Sequence, residues 1–182
     1  MKITDDTLDK EYFSMLQGVV MGHNFPWEYQ ARVANPWENN NEHFYFVHRL
    51  YERFSPISSF MEPLDDYLVK VLNVKSVIRA RVLLYPNQGK FIEHDPHVDF
   101  DYSHNAALLY FNDNDGYTKM EDGTKVESVA NRIVIFPSTM LHSGSTCTDK
   151  DMRVVINFNY FPNLDETPEY KHEVPIEYLP SY

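Results

Sequence analysis

The sequence predicts a mainly β protein, a sandwich or barrel buttressed by helices at its N-terminal end. Three observations carry this expectation. Residues 77–85, 105–111, 132–136 and 153–161 are short runs rich in Val, Ile, Leu, Tyr and Phe, the composition of half-buried or fully buried strands. Turn signals built on Pro, Asn, Asp, Ser and Gly separate them at 86–89, 112–116, 122–123 and 143–145. Helical spacing is confined to the chain before residue 77.

Taken in order, residues 8–20 place Leu8, Tyr12, Met15, Leu16 and Val19 on one helical face. Residues 23–42 carry Trp27 and Trp37 among prolines and asparagines and read as loop with aromatic anchors. Residues 43–51 are aromatic and β-branched enough for a strand, with a helix as the alternative. Ser59-Phe60-Met61-Glu62 has the form of a capping box, opening a second helix on Leu64, Leu68, Val71 and Leu72. The tail, with Pro168, Pro175 and Pro180 among acidic residues, reads as irregular chain. At 182 residues the chain fits one domain: a helical and aromatic support over 1–76, a β core over 77–161 and a tail over 162–182.

Composition narrows the function. The formal net charge is −11 and no basic run appears, so nucleic acid is not an expected partner, and a neutral or cationic substrate is favoured. Cys147 is the single cysteine, which removes any intrachain disulfide and fits a reducing compartment. The polar opening residues and the lack of a long apolar run lead us to expect a soluble, cytoplasmic protein with no membrane partner.

The chemistry concentrates at residues 93–100, E-H-D-P-H-V-D-F. On extended chain, residues two apart share a face, so His97 and Asp99 can reach one metal ion. His142, following the apolar run 133–136, offers a third ligand. A single histidine on a strand is more often a hydrogen-bonded structural residue; the conjunction of two imidazoles and one carboxylate is the donor set of non-haem Fe(II) oxygenases. Arg153 opens the last strong strand, where it shares a face with Val155, Asn157 and Asn159. A guanidinium turned into a barrel needs an anion, and its fork suits a carboxylate; the alternative is a surface arginine paired with Asp149 or Asp151. His94 stands three residues before His97 and faces the other way. His104 and Asn105 are candidates for substrate contact or a turn cap, while His23, His43, His48 and His172 read as structural or exposed.

In order, Tyr85, the H-V-D of 97–99, His142 and Arg153 resemble the Fe(II)- and 2-oxoglutarate-dependent dioxygenases, near the short phage and bacterial members of the prolyl-4-hydroxylase-like branch. Residues 112–136 look like the middle strands of such proteins, and the resemblance covers 77–161. It implies a double-stranded β-helix, a jelly-roll or cupin-like barrel. It also implies that His97, Asp99 and His142 bind Fe(II), that Arg153 pairs with the distal carboxylate of 2-oxoglutarate, and that Tyr85 hydrogen-bonds that cosubstrate. Dioxygen is the further cosubstrate and ascorbate a candidate cofactor. The implied reaction couples oxidative decarboxylation of 2-oxoglutarate to succinate with hydroxylation of a small molecule or a peptide, peptidyl proline included. One departure stands out: prolyl hydroxylases often carry lysine where this chain has Arg153. Two other classes compete, a cupin-like metal barrel acting without 2-oxoglutarate and a non-catalytic jelly-roll module. The first resembles H-x-H patterns absent here, and the second has no need of these four residues together.

Overall fold

Alternation along residues 153–160 divides the molecule into two sides. Val154, Ile156, Phe158 and Tyr160 enter an apolar cluster shared with a helix, whereas Arg153, Val155 and Asn157 turn the other way and line a cavity. The two-residue period of an extended strand is the cause, and it matches the sequence expectation.

The computed structural model describes residues 1–33, 42–62 and 71–163. The chain begins with β1 (Lys2–Thr4), α1 (Lys10–Val20), β2 (Glu28–Gln30), β3 (Tyr45–Glu52), β4 (Ser55–Pro56) and a 3-10 turn at Ser59–Met61. It continues through β5 (Val74–Pro86), β6 (Asn105–Tyr110), β7 (Asn114–Met120), β8 (Lys125–Ser128), β9 (Ile133–Pro137), β10 (His142–Gly144) and β11 (Met152–Pro162). The larger sheet runs β1-β9-β6-β11-β5-β3-β2, with β4 on β3, and the smaller runs β10-β7-β8. Every pairing between named strands is antiparallel.

Helix α1 packs on one face of the large sheet. Asp9 caps it, accepting from the backbone N–H groups of Glu11 and Tyr12 at 3.0 and 3.2 Å. The buried stripe is Phe13, Leu16 and Val20, whereas the expected Met15 and Val19 are exposed. Both stripes satisfy helical spacing; Phe13, stacked on Phe111 with centroids 6.0 Å apart, settles which one turns inward. On the sheet's opposite face, Val134, Phe136, Leu108, Tyr110 and Val155 pack with Met120 and Val126 of the small sheet. The large sheet is therefore covered on both sides.

Several sequence expectations need correction. The capping residue of the 3-10 turn is Ser58, whose hydroxyl accepts from Phe60 N–H at 3.2 Å, one position before the expected box. Leu64 and Leu68 of the expected second helix, Trp37 and the tail beyond 163 lie outside the described residues. Residues 143–145 are not a turn: Ser143 and Gly144 belong to β10, and β7 already begins at Asn114 inside the expected turn 112–116. The turn at 122–123 is as expected, with Gly123 at φ +86° closing the β7–β8 hairpin.

Candidate metal and oxoacid site

The segment around His97 is irregular, yet it is held like an edge strand. His97 and His142 exchange backbone hydrogen bonds, at 2.9 Å from His97 N–H and 3.0 Å from His142 N–H, and His94 N–H donates to Gly144 at 2.9 Å. Residues paired this way point to the same face, so the two imidazoles arrive side by side with centroids 4.7 Å apart. One ligand atom each from His97, Asp99 and His142 lies within 4.8 Å of the others. The strand expected to carry His97 and Asp99 is thus an extended loop with isolated bridges at Glu93 and His97, but it delivers both side chains to one point.

The ring tautomers suit a metal. Nδ1 of His97 faces the Asp95 carbonyl at 3.2 Å and Nδ1 of His142 the Met140 carbonyl at 3.1 Å. A carbonyl only accepts, so each Nδ1 carries the proton and each Nε2 keeps a lone pair. Burial, aided by His97 and set against the Asp99 charge, lowers the His142 pKa and keeps the ring neutral. Burial opposes ionisation of Asp99, but Arg79, His142 and hydrogen bonds from Asn159 and Asn157 outweigh it and hold the acid well below the ordinary carboxylate range. A neutral His142 and an ionised Asp99 are the protonation states that metal ligation requires of them.

The same cavity, about 210 Å³, is lined by Arg153 and Tyr85. These two are register partners across β11 and β5. Arg153 is 1% exposed and forms no salt bridge among the described residues, so the surface pairing with Asp149 or Asp151 is not realised. Its Nε donates to Ser128 Oγ at 2.7 Å, Nη2 to Thr118 Oγ1 at 2.9 Å and Nη1 to the Ser145 carbonyl at 3.4 Å. None of these partners is a carboxylate, the group that accepts bidentately from a guanidinium fork. Burial raises the Tyr85 pKa, so its hydroxyl stays protonated and available as a donor.

The other candidates separate cleanly. Asn157 lines the cavity, whereas His104 is buried against Phe100 and Tyr102 with Nδ1 on the Tyr102 carbonyl at 2.9 Å. Asn105 opens β6 opposite Tyr160. His94 stays outside the ligand set, as expected, while His43, read as structural or exposed, pairs with it. Sequence reasoning missed Arg79, Asn159, Thr118 and Ser128. The signal was present for two of them: polar residues at alternate positions inside the apolar runs, in R-A-R at 79–81 and N-F-N at 157–159.

No family model matches the chain, and no curated protein matches it. Solved structures do. An oxidoreductase of the 2OG-Fe(II) oxygenase family from Burkholderia pseudomallei is similar with a TM-score of 0.65 at 10% identity, covering 87% of this chain and 82% of its own. A prolyl hydroxylase from Trichoplax adhaerens, in complex with a hypoxia inducible factor peptide fragment, gives 0.66 at 15% identity, covering 88% and 82%. The epimerase SnoN, in complex with Fe3+, alpha ketoglutarate and nogalamycin RO, gives 0.62 at 13% identity, covering 88% and 78%. The chain therefore has the fold of the 2-oxoglutarate- and iron-dependent oxygenases, the jelly-roll that its strand order and its two facing sheets describe.

Proposed function

We propose that this protein is an Fe(II)- and 2-oxoglutarate-dependent oxygenase, coupling decarboxylation of 2-oxoglutarate to succinate with hydroxylation of a peptide or small-molecule substrate. One observation carries the reading: a His-Asp-His set and a buried guanidinium without an acidic partner among the described residues line a single cavity. His97, Asp99 and His142 would hold the iron, and Arg153 with Tyr85 the oxoacid. Bound there, Fe(II) and 2-oxoglutarate would supply the activation of dioxygen for attack on a C–H bond.

The chain's own residues bind, orient and shield. The Nδ1 protons of His97 and His142 stay on backbone carbonyls, which leaves Nε2 of each ring for the ion. Arg153 offers its fork and full charge at the inner end, held on Ser128 and Thr118, while Tyr85 contributes a hydroxyl proton. Leu83, Leu108 and Val155 give the same cavity an apolar lining, which would limit water near the reacting centre. The similar structures hold a peptide fragment in one case and nogalamycin RO in another, which supports both substrate classes.

The competing reading is a metal-binding jelly-roll without an oxoacid, and the unpaired buried charge of Arg153 argues against it. The deciding experiment adds Fe(II) and 2-oxoglutarate to the protein without oxygen. We expect a visible charge-transfer band from the chelate, followed by succinate when air is admitted; a colourless anaerobic mixture overturns the reading.

A further inference from the structure

Asp99 is held by three donors, all from strands of the large sheet. Arg79 Nη2 donates to Oδ1 at 2.6 Å, and Asn157 Nδ2 and Asn159 Nδ2 both donate to Oδ2 at 2.9 Å. The amide orientations are settled by chemistry, since an ionised carboxylate cannot donate. Arg79 Nε also donates to Asn159 Oδ1 at 3.1 Å, so Arg79, Asn159 and Asp99 close a ring of hydrogen bonds. Arg79 and Asn159 are register partners across β5 and β11, and the pairing slips between Asn159 and Tyr160. Such an irregularity re-aims side chains locally, and here it lies beside the bracket. The Phe100 ring stacks on the Arg79 guanidinium 4.5 Å from its centroid and fixes its remaining freedom.

We infer that Arg79, Asn157 and Asn159 are positioning residues, which hold Asp99 so that only Oδ1 is presented to the ion. Each carboxylate oxygen has two in-plane lone pairs. Oδ2 spends both on the amides, whereas Oδ1 spends one on Arg79 and keeps one. This inference rests on the reading of His97, Asp99 and His142 as a metal centre. It adds that the carboxylate is pre-set before the ion arrives, by groups that never touch it.

The test is a Co(II) titration of the full chain followed by visible absorption, with folding checked by circular dichroism. Asn159→Leu removes the amide at unchanged charge and similar volume. Arg79→Lys keeps the cation while losing the fork that joins Asp99 to Asn159. We expect Asn159→Leu to weaken Co(II) binding on the order of ten- to a hundredfold, the usual range for lost support of a ligand. The Co(II) spectrum should also change as the released carboxylate turns its second oxygen to the ion. Arg79→Lys should fall between the two, and it serves alone if Asn159→Leu does not fold. Variants that melt earlier yet bind Co(II) with wild-type affinity and spectrum would show that the bracket serves only stability, and the inference would be lost. Failure of the wild-type protein itself to bind Co(II) would instead remove the metal centre.

Discussion

His43 and His94 meet Nδ1 to Nδ1 at 3.0 Å, one from β3's approach and one from the loop that carries His97 and Asp99. One nitrogen must donate and the other accept, so the pair shares a single proton at that contact. His94 is 1% exposed, its Nε2 has no partner among the described residues, and its ring lies 5.2 Å from that of Tyr85. The contact ties the N-terminal segment to the cavity wall.

A pH dependence of stability follows from this burial. Desolvation first, then the charges of His43, Arg153 and His97, push the His94 pKa from 6.5 down to about 3. Below pH 6.5 the unfolded chain protonates this histidine while the folded chain does not, so stability falls with pH across that window. The limiting slope for one proton is about 1.4 kcal/mol per pH unit. Above the window His94 contributes no slope. Urea unfolding at pH 7, 6 and 5 should show His94→Gln losing less stability on acidification than the wild type; parallel curves for the two proteins would contradict the assignment.

Gly116 should matter for the oxoacid and not for the metal. A Cβ added there would lie 2.7 Å from Arg153 Cδ, 2.8 Å from Asn114 Oδ1 and 2.8 Å from the Thr146 carbonyl oxygen. All three contacts must give, and the buried stem of Arg153 is among the groups displaced. Gly116→Ala should weaken 2-oxoglutarate binding roughly tenfold or more, about 1.4 kcal/mol, with Co(II) affinity preserved. Calorimetric titration of both ligands checks this, and equal 2-oxoglutarate affinity in variant and wild type would refute it.

The proposed metal ligands can be tested both before oxygen is admitted and in turnover. His97→Ala and His142→Ala each leave two protein donors, too few to fix a divalent ion in an open site. We expect either substitution to abolish the anaerobic chelate band and succinate release. Substantial activity in either variant would exclude that histidine as a ligand.

How much of this was legible in the sequence depends on the range of the interaction. Strands β5, β6, β9 and β11 were readable because each is a run of residues that a sheet buries, and Arg153 was readable because period two fixes its neighbours Val155 and Asn157. β10 was not, because its Ser143 and Gly144 are turn residues by composition and become strand through the long-range pairing with Met120 to Thr118. The bracket on Asp99 was likewise hidden: Arg79 and Asn159 are 80 positions apart and meet only through the β5–β11 register. Net charge is silent on the cavity. The chain is acidic in sum, yet the described cavity wall carries Arg79, Arg81 and Arg153 against the single carboxylate of Asp99. A whole-chain total does not report the sign of a buried site.

Arg153 sets function against stability, which gives the sharpest expectation. A fully buried cation with no acidic partner among the described residues is costly to the apo protein, and its three hydrogen bonds recover only part of that cost. Arg153→Met keeps the apolar stem and removes the charge. Thr118 Oγ1 still accepts from Tyr110 O–H at 2.8 Å, so Ser128 Oγ is the side-chain partner left without its donor, worth about 1 kcal/mol. The variant should therefore melt no earlier than the wild type in the absence of ligands. Its 2-oxoglutarate affinity should fall on the order of a hundredfold, because the buried carboxylate would lose both its fork and its counter-charge. Arg153→Lys, with charge but no fork, should lie between. Thermal melts with and without Fe(II) and 2-oxoglutarate read both quantities at once. A variant that is strongly destabilised when empty, yet still gains the wild-type increment from 2-oxoglutarate, would show that the guanidinium is a structural group and that the oxoacid binds elsewhere.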